Sequence, residues 1–300
     1  MRSMLFVPGD SERKFGKSLG SGADAIILDL EDSVHFDNKA QARKLTADFL
    51  RHAQTLANSP AGGAKDCHPS LWVRINGLNT GFWRDDLAEI ISAMPDGIMV
   101  PKPRSGADVS TLSQELDLLE AASGISAGHT KLLPIVTETA LSVIHMHTYI
   151  GCSPRIAAMS WGAEDLSADI GASSNRDDAG ELTSVYRLAR DLCLLTSVAA
   201  GVQPVDSVFT NFRDEEGLLR ECHRAARDGY SGKMAIHPVQ VAPINEAFTP
   251  SQNDLARAER IVAAFDAAPS AGVAALDGEM LDLPHLIRAE KLLARARRAR

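Results

Sequence analysis

None of the four cysteines, Cys67, Cys152, Cys193 and Cys222, forms a CxxC pair with another. This spacing leaves no signature of a zinc site or a disulfide framework and makes a reducing cytoplasm the expected compartment. No apolar run approaches the roughly 18 residues a membrane span needs. The apolar stretch in "MRSMLFVPGD" is also too short for a secretory signal. Positive charge is not in excess. A net charge of −8 argues against a nucleic-acid or membrane partner and leaves only local basic patches for anionic ligands. No GxGxxG follows any candidate strand, which weakens a nucleotide-binding Rossmann reading. No internal repeat or low-complexity tract is visible.

What is present is an ordinary globular balance, 45% apolar and 23% charged, over 300 residues. That length can bury a sizeable core, as one large barrel or two smaller domains. Short β-type runs recur at Met4–Val7, Ala25–Leu30, Leu71–Ile75, Gly97–Val100, Leu132–Thr137, Ile156–Trp161, Val205–Phe209 and Lys233–Ile236. Amphipathic stretches such as "NKAQARKLTADFLRHAQTL" and "EGLLRECHRAARDGY" lie between them. Alternating strands and helices imply right-handed βαβ units, and eight of them predict an α/β fold, a (β/α)8 TIM barrel, over residues 1–240. Residues 241–300 read as a C-terminal helical extension: two helices, a Gly/Ala/Pro-rich connector "DAAPSAGVAALDGEM" and a last helix ending in a solvated basic tail. "NSPAGGAKDCHPS" reads as a loop.

The strand ends carry the chemistry. "AIILDLEDSV" is an apolar run with Asp29, Glu31 and Asp32 at its end, and buried carboxylates need a metal, an arginine or several donors. A barrel collects all its carboxyl-terminal strand ends on one face, so these acids are expected to meet Glu138 and Asp165 from strands five and six. Two carboxylates, with water and substrate oxygens in the other positions, suit Mg²⁺. Asp29, Glu31 and Asp32 then hold its waters or a catalytic proton. Helix capping and surface ion pairs are the structural alternative for any single acid. Arg74 in "WVRING" should point into the mouth as a carboxylate clamp, or else pair with Asp29 or Glu31. An arginine beside a divalent metal points to an α-keto or α-hydroxy carboxylate. Lys102 in "VPKPRS" raises a Schiff-base route, which the acid-rich mouth disfavours relative to a metal. Asp10 or Ser11 should cap the helix after "VPGD", with Arg13, Lys14 and Lys17 near its start.

The ordered blocks "RSMLFVPGDSERKFGK", "GADAIILDLEDSV", "VRINGLNTGFWRDDL", "TETA", "WGAEDLSADIGA", "GYSGKMAIHPVQV" and "ALDGEM" resemble the citrate lyase beta-subunit-like family, relatives of malyl-CoA lyases and hydroxy-oxo-acid aldolases. The resemblance runs from Arg2 to about Asp282. It implies a Mg²⁺-dependent (or Mn²⁺-dependent) carbon–carbon lyase of 3-hydroxyacyl thioesters, cleaving an acyl-CoA thioester to a small oxo-acid and acetyl-CoA. Glu138 and Asp165 match the family's metal ligands, Arg74 its carboxylate-binding arginine, and Asp29, Glu31 and Asp32 its acidic block. Asp277 matches a catalytic acid that the extension delivers to a neighbouring subunit, in a homotrimer or hexamer. Arg13, Lys17, Ile236 and His237 fall where the family holds CoA or an acyl-carrier thioester. Where malyl-CoA lyases often have an arginine after the Pro-Gly turn, this chain has Ser11. The resemblance leaves open a malyl-CoA-type thioesterase, a CoA-independent aldolase, and a subunit that needs citrate lyase alpha and acyl carrier protein partners.

Overall fold

The structure, a computed structural model, describes residues 1–57, 68–267 and 272–298. Most of the loop "NSPAGGAKDCHPS", with Cys67, lies outside the described residues, as does part of the Gly/Ala/Pro-rich connector. Strands β1 (Ser3–Pro8), β2 (Ala25–Asp29), β3 (Ser70–Arg74), β4 (Gly97–Val100), β5 (Lys131–Pro134), β6 (Ala158–Ser160), β7 (Gln203–Asp206) and β8 (Gly232–Ala235) are all parallel to their neighbours. Their spatial order is β5-β4-β3-β2-β1-β8-β7-β6. Two parallel bridges, Leu132 to Ile156 and Ile135 to Ser160, join the remaining edges and close the ring. The chain is a TIM-type barrel, as the strand–helix alternation predicts.

Around it stand helices α1 (Glu12–Ser18), α2 (Lys39–Ala57), α3 (Trp83–Ile90), α4 (Gly106–Ala122), α5 (Ala140–Ile144), α6 (Glu164–Ile170), α7 (Ser184–Ala199), α8 (Glu215–Asp228) and α9 (Val241–Phe248). The two-residue period of each strand divides its side chains between two cores. Met4, Ala25, Ile27, Trp72, Met99, Leu133, Ile135, Ala158, Val205 and Met234 form an inner cluster. Leu5, Ile26, Leu28, Val73, Ile98 and Val100 pack outward with the helices. The large indole of Trp72 fits because Gly97 lies beside it: a Cβ there would sit 2.2 Å from Trp72 Cζ3. Following the inner parity to the strand ends brings Asp29 after Ala25 and Ile27, and Arg74 after Trp72. The register then pairs Asp29 with Arg74 across β2 and β3.

Two local expectations need correction. Ser11 occupies the N-cap position of α1, but neither it nor Asp10 makes a side-chain cap hydrogen bond there. The connector is not irregular throughout, because β9 (Val273–Leu276) and β10 (Glu279–Asp282) form an antiparallel hairpin. Its tip is Asp277-Gly278, both at positive φ (52° and 83°), the backbone that a two-residue Asp-Gly hairpin turn requires. The signal was in the sequence, hidden by the surrounding Ala and Gly. With α10 (Gln252–Asp266) and α11 (Leu283–Arg298), the hairpin builds a separate small cluster of Ala258, Ile261, Phe265, Leu281 and Ala289. Helix α9 instead contributes Val241, Ile244 and Phe248 to the main core.

Among the described residues, Cys152, Cys193 and Cys222 are free thiols, and no helix is long and apolar enough to cross a membrane. A buried ion pair ties α4 to the β5–β6 connection. Arg155 Nη1 and Nη2 reach Glu120 at 2.8 and 2.6 Å, and backbone N–H groups of Gly128 and Thr130 donate to the same carboxylate at 2.8 Å each. Burial alone would raise the Glu120 carboxyl, but these donors outweigh it and hold it at about 2. A carboxyl lowered from 4.5 contributes stability that is fully present above pH 4.5 and lost as pH falls towards 2. Glu120→Gln is expected to lose about 3 kcal/mol at neutral pH. Urea denaturation repeated across pH 2–7 should show the mutant's deficit vanishing at the acid end.

Candidate active site

At the carboxyl-terminal ends of the strands lies a cavity of about 540 Å³, within the range of small-ligand pockets. Asp29, Asp32, Arg74, Glu138 and Asp165 line it. Glu138 follows β5, and Asp165 sits in the first turn of α6, which follows β6. The two connections are tied together by Thr137, whose Oγ1 accepts from Gly162 N at 2.9 Å and donates to Gly162 O at 3.2 Å. Gly162 also gives Glu138 its place, since a Cβ there would lie 3.0 Å from Glu138 Cγ.

Arg74 answers for the acids at the end of β2. Its Nε and Nη2 donate to Asp29 Oδ1 and Oδ2 at 2.7 Å each, and its Nη1 lies 2.9 Å from Glu31 Oε2. Phe6 lies beneath the guanidinium at 4.9 Å. The Asp29 oxygens further accept from the backbone N–H groups of Glu31 and Ser33, so Asp29 is a fixed partner of Arg74. Burial would lower the Arg74 guanidinium, but the Asp29 charge and hydrogen bonds outweigh it and hold it above its ordinary value. Burial works against the Asp29 carboxyl too, yet Arg74 keeps it low. The ion-pair alternative for Arg74 is therefore present in the structure, and the same side chain lines the cavity.

Lys102 is the feature that sequence reasoning did not assign. Its Nζ lies 2.6 Å from Glu31 Oε1, 3.2 Å from Asp32 Oδ2 and 3.2 Å from Asp165 Oδ1. Its backbone N–H donates to Glu138 Oε2 at 2.5 Å. It holds a left-handed backbone, φ 49°, which non-glycine residues rarely adopt. Burial lowers the Lys102 ammonium, but Glu31 above all raises it beyond its ordinary value. An amine kept protonated is a poor Schiff-base nucleophile. The position after β4 was legible in "VPKPRS"; the backbone that brings both N–H and ammonium to the acids was not.

Glu138 is 3% exposed. Burial pushes its carboxyl well above the usual range, and the charges of Glu31 and Asp165 add to the effect. Among the described residues its second oxygen takes no hydrogen bond. Asp165 is about one-third exposed, and among the described residues its carboxylate pairs with Lys102. Crowded carboxylates with unshared oxygens are the donor set a hard dication takes. Among the described residues no three His, Cys, Asp or Glu side chains converge into a ready-made ligand set, so positions around such an ion would fall to water and substrate.

The remaining candidates fall in three places. Ile236 lines the cavity, and the next residue, His237, stacks on Phe212 with 4.7 Å between ring centroids. Arg13 and Lys17 are exposed on α1. Asp277 is exposed on the hairpin tip and paired with Arg260 within its own chain, not among the residues of this cavity. A loop with no sequence signal, Asn175-Arg176, also reaches the cavity, held by Glu164 and Glu221 at 2.8 Å each.

The HpcH/HpaI aldolase/citrate lyase family matches residues 2–238. The chain belongs to this family. That places it among carbon–carbon lyases, as the ordered sequence blocks imply. A (3S)-malyl-CoA thioesterase of Cereibacter sphaeroides is 35% identical over 310 residues, covering 98% of this chain and 94% of the relative. An L-malyl-CoA/beta-methylmalyl-CoA lyase of the same species is 35% identical over 314 residues with the same coverage. Among solved structures, the CitE protein of Mycobacterium tuberculosis in complex with magnesium, acetoacetate and coenzyme A superposes with a TM-score of 0.75. It is 32% identical and covers 98% of this chain and 97% of that one. This family member therefore has a relative whose structure holds magnesium, an oxo-acid and CoA together.

Proposed function

We propose that the protein is a magnesium-dependent lyase that cleaves, or forms, a 3-hydroxyacyl-CoA thioester of the malyl or citryl class, giving an oxo-acid and acetyl-CoA. The observation that carries the reading is the convergence of Glu138, Asp165 and Arg74 on one cavity. Glu138 and Asp165 would hold the magnesium. When bound, the ion supplies Lewis-acid stabilisation of the negative charge that develops on substrate oxygen. Arg74, fixed by Asp29 and Glu31, keeps further N–H groups with which to orient a substrate carboxylate. Glu31 and Asp32, tied to Lys102, would hold waters beside the ion or a catalytic proton. Asp277, brought by a neighbouring copy, would move the proton at the thioester α-carbon. Exposed Arg13 and Lys17 would meet CoA phosphates while Ile236 and His237 border the thioester arm. In the cleavage direction the hydroxyl proton leaves, the C–C bond breaks as the oxo-acid carbonyl forms, and the acetyl thioester enolate takes up a proton.

Hydrolysis of the thioester is the second reading, favoured by the thioesterase relative. Malyl-, methylmalyl- and citryl-CoA incubated with Mg²⁺ and analysed for products separate the two. Acetyl-CoA with an oxo-acid is expected; free CoA with intact hydroxy acid would make the chain a thioesterase. Cleavage that starts only when citrate lyase alpha and acyl carrier protein are added would make it a partner-dependent subunit. Turnover of a small oxo-acid substrate alone would make it a CoA-independent aldolase. No magnesium-dependent turnover in any of these mixtures would refute the reading.

A further inference from the structure

We propose that Lys102 is the resident cation of the barrel mouth: its ammonium gathers the acidic side chains when no divalent ion is bound and withdraws when one binds. This rests on the magnesium reading above. One residue touches both proposed ligands, Glu138 through its backbone N–H and Asp165 through its ammonium, and reaches Glu31 and Asp32 as well. Three carboxylates thus meet a single ammonium, and a fourth, that of Glu138, takes the backbone N–H of the same residue. Arg74 cannot exchange places with an ion, because it is 12% exposed and held on two prongs by Asp29, and Arg176, which also lines the cavity, is paired with Glu221. Lys102 is 25% exposed on a flexible four-carbon stem, so it has an open side into which to swing.

A dication bound by Glu138 and Asp165 would share oxygen neighbours with the Lys102 ammonium, and like charges at such separations repel strongly in a partly buried site. Magnesium binding therefore competes with an internal salt bridge, and the lysine sets how much ion the site needs. The left-handed backbone of Lys102, φ 49°, fixes where the competing charge starts from.

Calorimetric titration of the full chain with MgCl2, paired with melting curves, tests this for the natural protein, Lys102→Met and Glu138→Gln. Lys102→Met is expected to melt lower without metal, to bind magnesium about tenfold more tightly and to gain more in Tm from it. Glu138→Gln is expected to show no binding. If Lys102→Met fails to fold, Lys102→Gly suits the positive φ and carries the same expectation. Unchanged or weaker binding in the lysine variants, with normal binding by the natural protein, overturns this proposal alone. Absence of magnesium binding by the natural protein overturns it together with the magnesium reading.

Discussion

Glu138→Gln is expected to lose at least about three orders of magnitude in magnesium-dependent turnover while folding as well as the natural protein or better. The glutamine keeps the shape of the side chain and an oxygen to accept the Lys102 N–H, so the β5 end stays in place. What disappears is the anionic oxygen that a hard cation requires. The same change replaces a carboxyl whose charged form burial, Glu31 and Asp165 disfavour, so the melting temperature should hold or rise. Asp165→Asn should lose turnover alike, with little change in stability, because Asp165 is about one-third exposed and gives up its ion pair with Lys102. Steady-state assays alongside melting curves decide the matter. Full turnover in either variant would remove that residue from the metal site, and lost turnover with a lowered Tm would point to misfolding instead.

Arg74→Met is expected to cost about 3–5 kcal/mol of stability, the usual result of leaving buried ions without their partner. Asp29 and Glu31, 2% and 6% exposed, would face each other across an apolar methionine. The second substitution Asp29→Asn, added to Arg74→Met, should restore part of the loss, because the penalty belongs to the stranded carboxylate rather than to lost arginine packing. Arg74→Lys should fall between, since an ammonium preserves the charge but cannot span both Asp29 oxygens. Urea denaturation of the four proteins measures this. A loss below about 1 kcal/mol for Arg74→Met would show that the pair is not the anchor of the strand ends.

The barrel was legible because its signal is repeated eight times: each apolar run ends in polar residues, and each is followed by an amphipathic helix. The meeting of these residues was legible to the same depth, since strand-end position alone places Asp29, Arg74, Glu138 and Asp165 on one face, where they line one cavity. What the sequence leaves out depends on backbone conformation and on which charges finally meet. Arg74 could be read as a substrate clamp or as a partner of Asp29, and only the β2–β3 register shows that the pairing is made. Lys102 is drawn to the acids by a positive φ that no local residue preference announces. The hairpin at Asp277-Gly278 was written plainly in the sequence, yet the neighbouring alanines and glycines read as connector. Thr137 and Gly162, which join the loops carrying Glu138 and Asp165, gave no pattern at all because their role exists only between strands.

Anomalous diffraction from crystals grown with Mn²⁺ in place of Mg²⁺ examines the barrel mouth most directly. One peak is expected per chain, about 2 Å from a carboxylate oxygen of both Glu138 and Asp165, with the Lys102 ammonium moved away. A peak bound by only one of these two side chains, or lying elsewhere in the barrel, would contradict the shared metal site.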